Sequence, residues 1–200
     1  MTMRRALPLV LAAATGCSYF SKSPQPSGSE GAWAAERDKY TRECKVYNVL
    51  SDVAFATATY QAPSVRVARA NRIADWKGMI PSERDALLSK EKAEEVESEE
   101  FLLSFYTEDH RANDLDTSRG TWRIVLIVNG NEQAPPLKVE AVRVDPTIQV
   151  LYPYVNPFYR LYRIRFPRYP GSTPLAELPF ALQIAGALGK VELDWKPTPP

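Results

Sequence analysis

At 200 residues the chain has material for one ordinary domain and not comfortably for two. Its 44% apolar residues suffice for a core, and its 24% charged residues match the globular average, which excludes wholesale disorder. With 25 basic against 24 acidic side chains, a general pull toward nucleic acid or anionic lipid has no electrostatic basis.

Met1 to Gly16 has the three parts of a secretory leader: cationic Arg4 and Arg5, an apolar run from Ala6 to Ala14, and small residues before a cysteine. The run is too short for a membrane-spanning helix, which takes roughly 20 apolar residues. The flanks of Arg4-Arg5 lack the rest of a twin-arginine motif. Ala14-Thr15-Gly16-Cys17 resembles the bacterial lipobox, with alanine where leucine is usual at the third position before the cysteine. That resemblance implies cleavage before Cys17, diacylglycerol on its sulfur, and an envelope lipoprotein held on a membrane by acyl chains such as palmitate. Ser18 in place of aspartate implies, by the same resemblance, delivery to the outer membrane on its periplasmic side. An ordinary secretory leader with an incidental Cys17 is the alternative. Each buried methylene contributes about 0.8 kcal/mol, so several chains on one cysteine suffice for anchoring. Loss of Arg4 and Arg5 leaves 23 basic against 24 acidic residues. Cys44 then has no intramolecular partner and is expected as a small core residue; an unlipidated Cys17 could instead form a disulfide with it.

Residues 17–31 comprise the lipidated cysteine and a polar, Pro- and Gly-containing tether, which leaves 32–200 as a single domain. Val53 to Thr59 alternates and predicts a strand. Val65, Arg69, Arg72 and Trp76 share a helical face over Ser64 to Trp76. A second helix opens at Pro81, with Ser82 and Asp85 spaced as a capping box, and runs through Leu87, Leu88, Ala93 and Val96. Lys90 and Glu94 stand four apart on it. From Glu100 the texture becomes that of strands: Phe101 to Tyr106, Trp122 to Val128, Leu137 to Val144, Phe158 to Phe166, Phe180 to Leu188 and Val191 to Trp195. Asn129-Gly130-Asn131 and Pro170-Gly171 mark turns, Pro135-Pro136 delays the next strand, and Asp145-Pro146 ends it.

Clustered helices argue against a parallel sheet, which needs a crossover after nearly every strand. The pattern predicts a mainly β (α+β) fold: an antiparallel Ig-like β-sandwich with a two-helix insertion, at about 64–98, after the first strand.

The single histidine, His110, lies among Asp109, Asp114 and Asp116. A hydrolase triad or metal centre would have to use it, because imidazole is the base and ligand suited to neutral pH. The segment lacks calcium-loop spacing, and a polar loop after a strand accounts for it more simply. The acid-rich run Glu91 to Glu100 reads as a solvated helix face, which does not desolvate a carboxyl as glycosidase chemistry requires. No phosphate loop, dinucleotide glycine pattern, paired-cysteine motif or nucleophile elbow is present, and no cofactor is expected.

Tyr152 to Phe166 interleaves aromatics with arginines. Tyr154, Tyr159, Arg160, Tyr162, Arg163 and Arg165 are therefore candidates for a partner-binding edge. The competing reading is a core strand whose outer face carries snorkelling arginines. The expected function is that of a membrane-tethered, non-catalytic envelope lipoprotein that binds or scaffolds another envelope component. Its partners would be the membrane, through lipid on Cys17, and an envelope protein, with no nucleic acid. The alternative is an envelope hydrolase or metal-dependent enzyme using His110 and its neighbouring carboxylates.

Overall fold

The computed structural model describes residues 28–48, 51–109, 111–115 and 120–197. Helix α1 (Gly28–Lys39) leads into strands β1 (Thr41–Asn48) and β2 (Ser51–Tyr60), followed by helices α2 (Pro63–Trp76) and α3 (Pro81–Glu97). Strands β3 (Ser98–Thr107), β4 (Trp122–Val128), β5 (Glu132–Ala134) and β6 (Lys138–Val142) come next, then helix α4 (Pro146–Leu151) and strand β7 (Arg160–Pro167). A short 3₁₀ turn (Leu175–Glu177) precedes β8 (Phe180–Gly186) and β9 (Gly189–Trp195).

The strands form two antiparallel sheets, ordered β1-β2-β3-β7-β6 and β5-β4-β8-β9. With the helices this makes a mainly β, α+β molecule, an arrangement compatible with a sandwich. An immunoglobulin order would send the third strand to the opposite sheet. Here β3 pairs with β2 instead. The helical pair α2–α3 follows the second strand rather than the first, because Thr41–Asn48 forms a strand that pattern reading misses. Only Arg42, Cys44 and Val46 point to its inner side, a weak apolar signal.

Side chains alternate between faces along each strand, so one set from each sheet meets in a shared core. Phe101, Tyr60 and Phe166 of the first sheet contact one another in two ring pairs, and Phe101 and Tyr60 reach Phe180 of the second; Phe101 also meets Trp195. Phe105 meets Trp122 edge-on at the other end. The inward residues of β2 are Ala54, Ala56 and Ala58, whose small side chains let β9 approach. Cys44 is half-buried against this core as a free thiol. Cys17 lies outside the described residues.

Helix α1 begins at Gly28, inside the span assigned to the tether. Trp33 anchors it: the ring is buried, and its Nε1–H donates to the Leu151 carbonyl at 3.1 Å. Helix α3 starts at Pro81, as expected, but the reciprocal partner of its N-terminus is Glu83, whose carboxylate accepts from the Ile80 N–H at 3.1 Å, not Asp85 with Ser82. Asp145-Pro146 does end β6, and it also starts α4, because Asp145 Oδ1 accepts from the Ile148 N–H at 2.8 Å and proline suits the first helical position. The Asn129-Gly130 turn is confirmed: both residues have positive φ, 52° and 77°, which suits a hairpin between β4 and β5.

Candidate functional site

Pairing separates the members of the Arg-aromatic segment. Tyr162 points into the core, where its hydroxyl donates to the Asn113 carbonyl at 3.1 Å, and so it is removed from any surface. Arg163 and Arg165 alternate to the outer face of the five-stranded sheet and converge on Glu100, at 3.4 and 3.3 Å. Arg165 also reaches Glu140 on β6, at 3.7 Å. Tyr154 closes over the same face, its hydroxyl 2.8 Å from that of Thr59, and burial pushes its phenol above the usual range. Arg160 remains exposed, and Tyr159 is half-buried. Of its aromatic and arginine side chains, the segment therefore leaves Phe158, Tyr159 and Arg160 at an open surface, with the partly exposed edges of Arg163 and Arg165 already committed to carboxylates.

The ion pairs continue beneath the helices. Arg66 of α2 is 1% exposed, with Nη2 3.6 Å from Glu100 and Nη1 3.4 and 3.6 Å from Glu91 and Glu94. Its Nε–H donates to the Gln61 carbonyl at 3.1 Å. Arg69 bridges Glu91 at 2.6 Å and the Gln61 side-chain oxygen at 2.6 Å. This corrects the reading of Glu91 to Glu100 as a solvated helix face. Glu91 and Glu94 neutralise arginines of α2, while Glu99 and Glu100 belong to β3 and are buried. Three guanidinium groups around one buried carboxylate form a tie between α2, β3 and β7. Glu100 is thereby paired with all three.

Near the histidine, the chain turns at Asp109, whose carbonyl accepts from the Ala112 N–H at 2.9 Å and whose carboxylate pairs with Arg111 at 3.1 Å. Ala112 is buried and accepts from Trp122 Nε1–H at 2.7 Å, so this loop is fastened to β4. Asp114 is half-buried. His110 and Asp116 lie outside the described residues. Among the described residues no group of three or more His, Cys, Asp or Glu side chains is placed to hold a metal ion.

A different surface emerges on the outer face of the five-stranded sheet, at the end away from the arginine tie. Tyr47, Phe55, Tyr106 and Tyr159, from β1, β2, β3 and the approach to β7, form one row of rings. Centroids are 5.4 Å apart for Tyr47 and Phe55, 5.7 Å for Phe55 and Tyr106, and 5.2 Å for Tyr106 and Tyr159. The last two pairs are stacked. Tyr47 is 64% exposed, and Phe158, beside Tyr159 in sequence, is 76% exposed. Lys45 and Glu43 flank the row as a 2.8 Å ion pair, which raises the Lys45 pKa. Of these rings, sequence reasoning identified only Tyr159. The others carried no such signal: Phe55 and Tyr106 share their side of the strands with Thr57, Thr59, Leu102 and Ser104, all buried in the fold, so no row of exposed polar residues sets the rings apart in the sequence.

Among the described residues no helix is long and apolar enough to cross a membrane. Comparison with protein-family models, with curated proteins and with solved structures gave no significant match.

Proposed function

We propose that the mature chain is a non-catalytic lipoprotein of the bacterial envelope, tethered through lipid on Cys17 to the outer membrane, which docks a protein partner on the aromatic row Tyr47-Phe55-Tyr106-Tyr159. The carrying observation is that row, with its exposed end at Tyr47 and the neighbouring exposed Phe158. Single exposed apolar residues need no explanation, but a contiguous row does. Tyrosine and phenylalanine are favoured at the centres of protein interfaces because a rigid ring buries much area at little entropic cost. This relocates the expected contact from the arginines, most of which neutralise Glu100, to the rings beside them.

The anchor supports the same role. Ten residues separate Cys17 from Gly28, where α1 begins. Even fully extended they span at most about 35 Å, so the partner must lie close to the membrane.

Crosslinking in intact cells tests the docking surface. Tyr47→Ser combined with Phe158→Ser should remove the crosslinked protein while the circular dichroism spectrum and Tm stay unchanged. Retention of every crosslink by that folded variant rejects the surface. For the anchor, Cys17→Ser should leave the membrane pellet; if it is still cut at the same bond and still pellets, the lipid is not what holds it.

A further inference from the structure

Far less of the charge is neutralised at one corner of the molecule than on the sheet's outer face. The C-terminal end of α1, the start of β1, the start of α2, the 3₁₀ turn and the end of β9 surround a cleft of about 830 Å³. Lys39, Arg42 and Lys196 line it, against a single acid, Glu177. None of the three cations has a carboxylate within ion-pair distance among the described residues, in contrast to Arg66, Arg163 and Arg165.

Arg42 is held in place without being neutralised. Its Nε–H donates to the Asp194 carbonyl at 3.0 Å, and Nη1 donates to the Lys39 and Thr41 carbonyls at 2.9 and 2.7 Å. Its guanidinium carbon lies 6.0 Å from the centre of the Trp195 ring. A cation fixed by backbone carbonyls keeps its charge and loses little entropy when it meets an anion. The rim adds further donors. Pro63 and Ser64 begin α2 there, and the residue before them, Ala62, supplies no side-chain cap, so the Ser64 N–H at the start of a 14-residue helix has no acceptor within the helix, and the Ser64 hydroxyl stands beside it. The remaining wall is apolar, formed by Pro174, Leu178, Pro197 and the edge of Tyr40.

We infer that this cleft binds a small anionic ligand whose phosphate or carboxylate meets Lys39, Arg42 and Lys196 while an apolar body lies along the proline-lined wall. The volume falls in the range of ligand pockets, about 300–1,000 Å³, and the combination of an apolar wall with a few convergent polar groups is what such sites share. The site is separate from the aromatic row and does not depend on it.

Calorimetric titration of the full chain carrying Cys17→Ser, with hexyl phosphate as probe, tests the assignment. A single saturable event is expected, with inorganic phosphate and hexylammonium each at least about tenfold weaker, since each lacks one half of the chemistry. Replacing Lys39, Arg42 and Lys196 together by Gln should weaken hexyl phosphate by at least about tenfold. Glu177→Gln, which disturbs no described hydrogen bond of its side chain, should tighten it. Flotation with dioleoylphosphatidylglycerol vesicles separates the sources of the anion. Co-flotation lost in the triple variant assigns a lipid headgroup, and hexyl phosphate binding without co-flotation assigns a soluble ligand. Absence of saturable hexyl phosphate binding, or equal binding of hexylammonium, overturns the inference. So does a Glu177→Gln affinity that is unchanged or weaker.

Discussion

Glu100 shows how one side chain can decide the chemistry of a surface. It is 4% exposed, and arginines from α2 and β7 approach it from both sides. Changing it to Gln preserves shape but removes the charge shared by Arg66, Arg163 and Arg165. Arg66 keeps Glu91 and Glu94, and Arg163 and Arg165 are partly exposed, so the loss is expected to cost about 1–3 kcal/mol, measurable by urea unfolding. On the opposite face, the Tyr60 hydroxyl donates to Glu99 at 2.6 Å. Burial pushes the Tyr60 phenol well above its ordinary value of 10.0, and the Glu99 charge adds to the shift. The folded state therefore keeps a proton that the unfolded chain releases above the ordinary value, so stability is intact below about pH 10 and falls as pH rises. The slope from this one group is up to about 1.4 kcal/mol per pH unit. Tyr60→Phe should be less stable at neutral pH but should lose stability less steeply between about pH 10 and 11, as read from unfolding at each pH. An unchanged slope would show that Tyr60 is not held neutral.

Elements were legible in proportion to how strongly a local period was imposed. Strands β7, β8 and β9 alternate because one side faces the core, whereas β3 and β4 are buried almost throughout and were legible as short apolar-rich runs. Helix α2 was legible through Val65, Arg69 and Arg72, which do share the inward face, whereas Trp76 at its end is exposed. Helix α3 has no buried residue, and Val96 of its expected apolar line is exposed. Its contacts are charged, and charge has no fixed period. Helix α1 was illegible because Trp33 is its one buried side chain among those described, and its other ties, Arg37 to the Leu151 carbonyl and Glu30 to Arg72, are polar and make no apolar pattern. At the β8–β9 turn the demand is steric: a Cβ on Gly186 would lie 2.3 Å from the Thr121 carbonyl oxygen. Gly186→Ala must push the hairpin off the start of β4, an expected cost of about 1–3 kcal/mol in denaturant unfolding. A stability equal to the parent's would mean that Thr121 yields freely.

The whole molecule depends on how closely the two sheets approach. Ala54, Ala56 and Ala58 leave room on β2 for the large inward residues of β9, and Trp195 Nε1–H closes the corner by donating to the Tyr40 carbonyl at 2.8 Å. Ala56→Leu fills that space and should cost about 1–3 kcal/mol by overpacking. In a domain of this size each kcal/mol lowers Tm by about 2–4 °C, so a thermal scan will detect it. A Tm within error of the parent's would show slack between the sheets. The same approach of β9 to β1 brings Lys196 toward Lys39 and Arg42 and so creates the charged cleft.

Residue order alone pointed to the β-rich class, to most strand positions and to two neighbouring helices, because backbone periodicity is a local property of the chain. Tertiary structure alone decided which charges are spent and which surfaces stay open. Arg66, Glu100 and Arg163 meet only because β3 lies between β2 and β7 with α2 over them, and the four rings align only once β1, β2 and β3 are in register. Such juxtapositions depend on strand order and register, which no local period encodes.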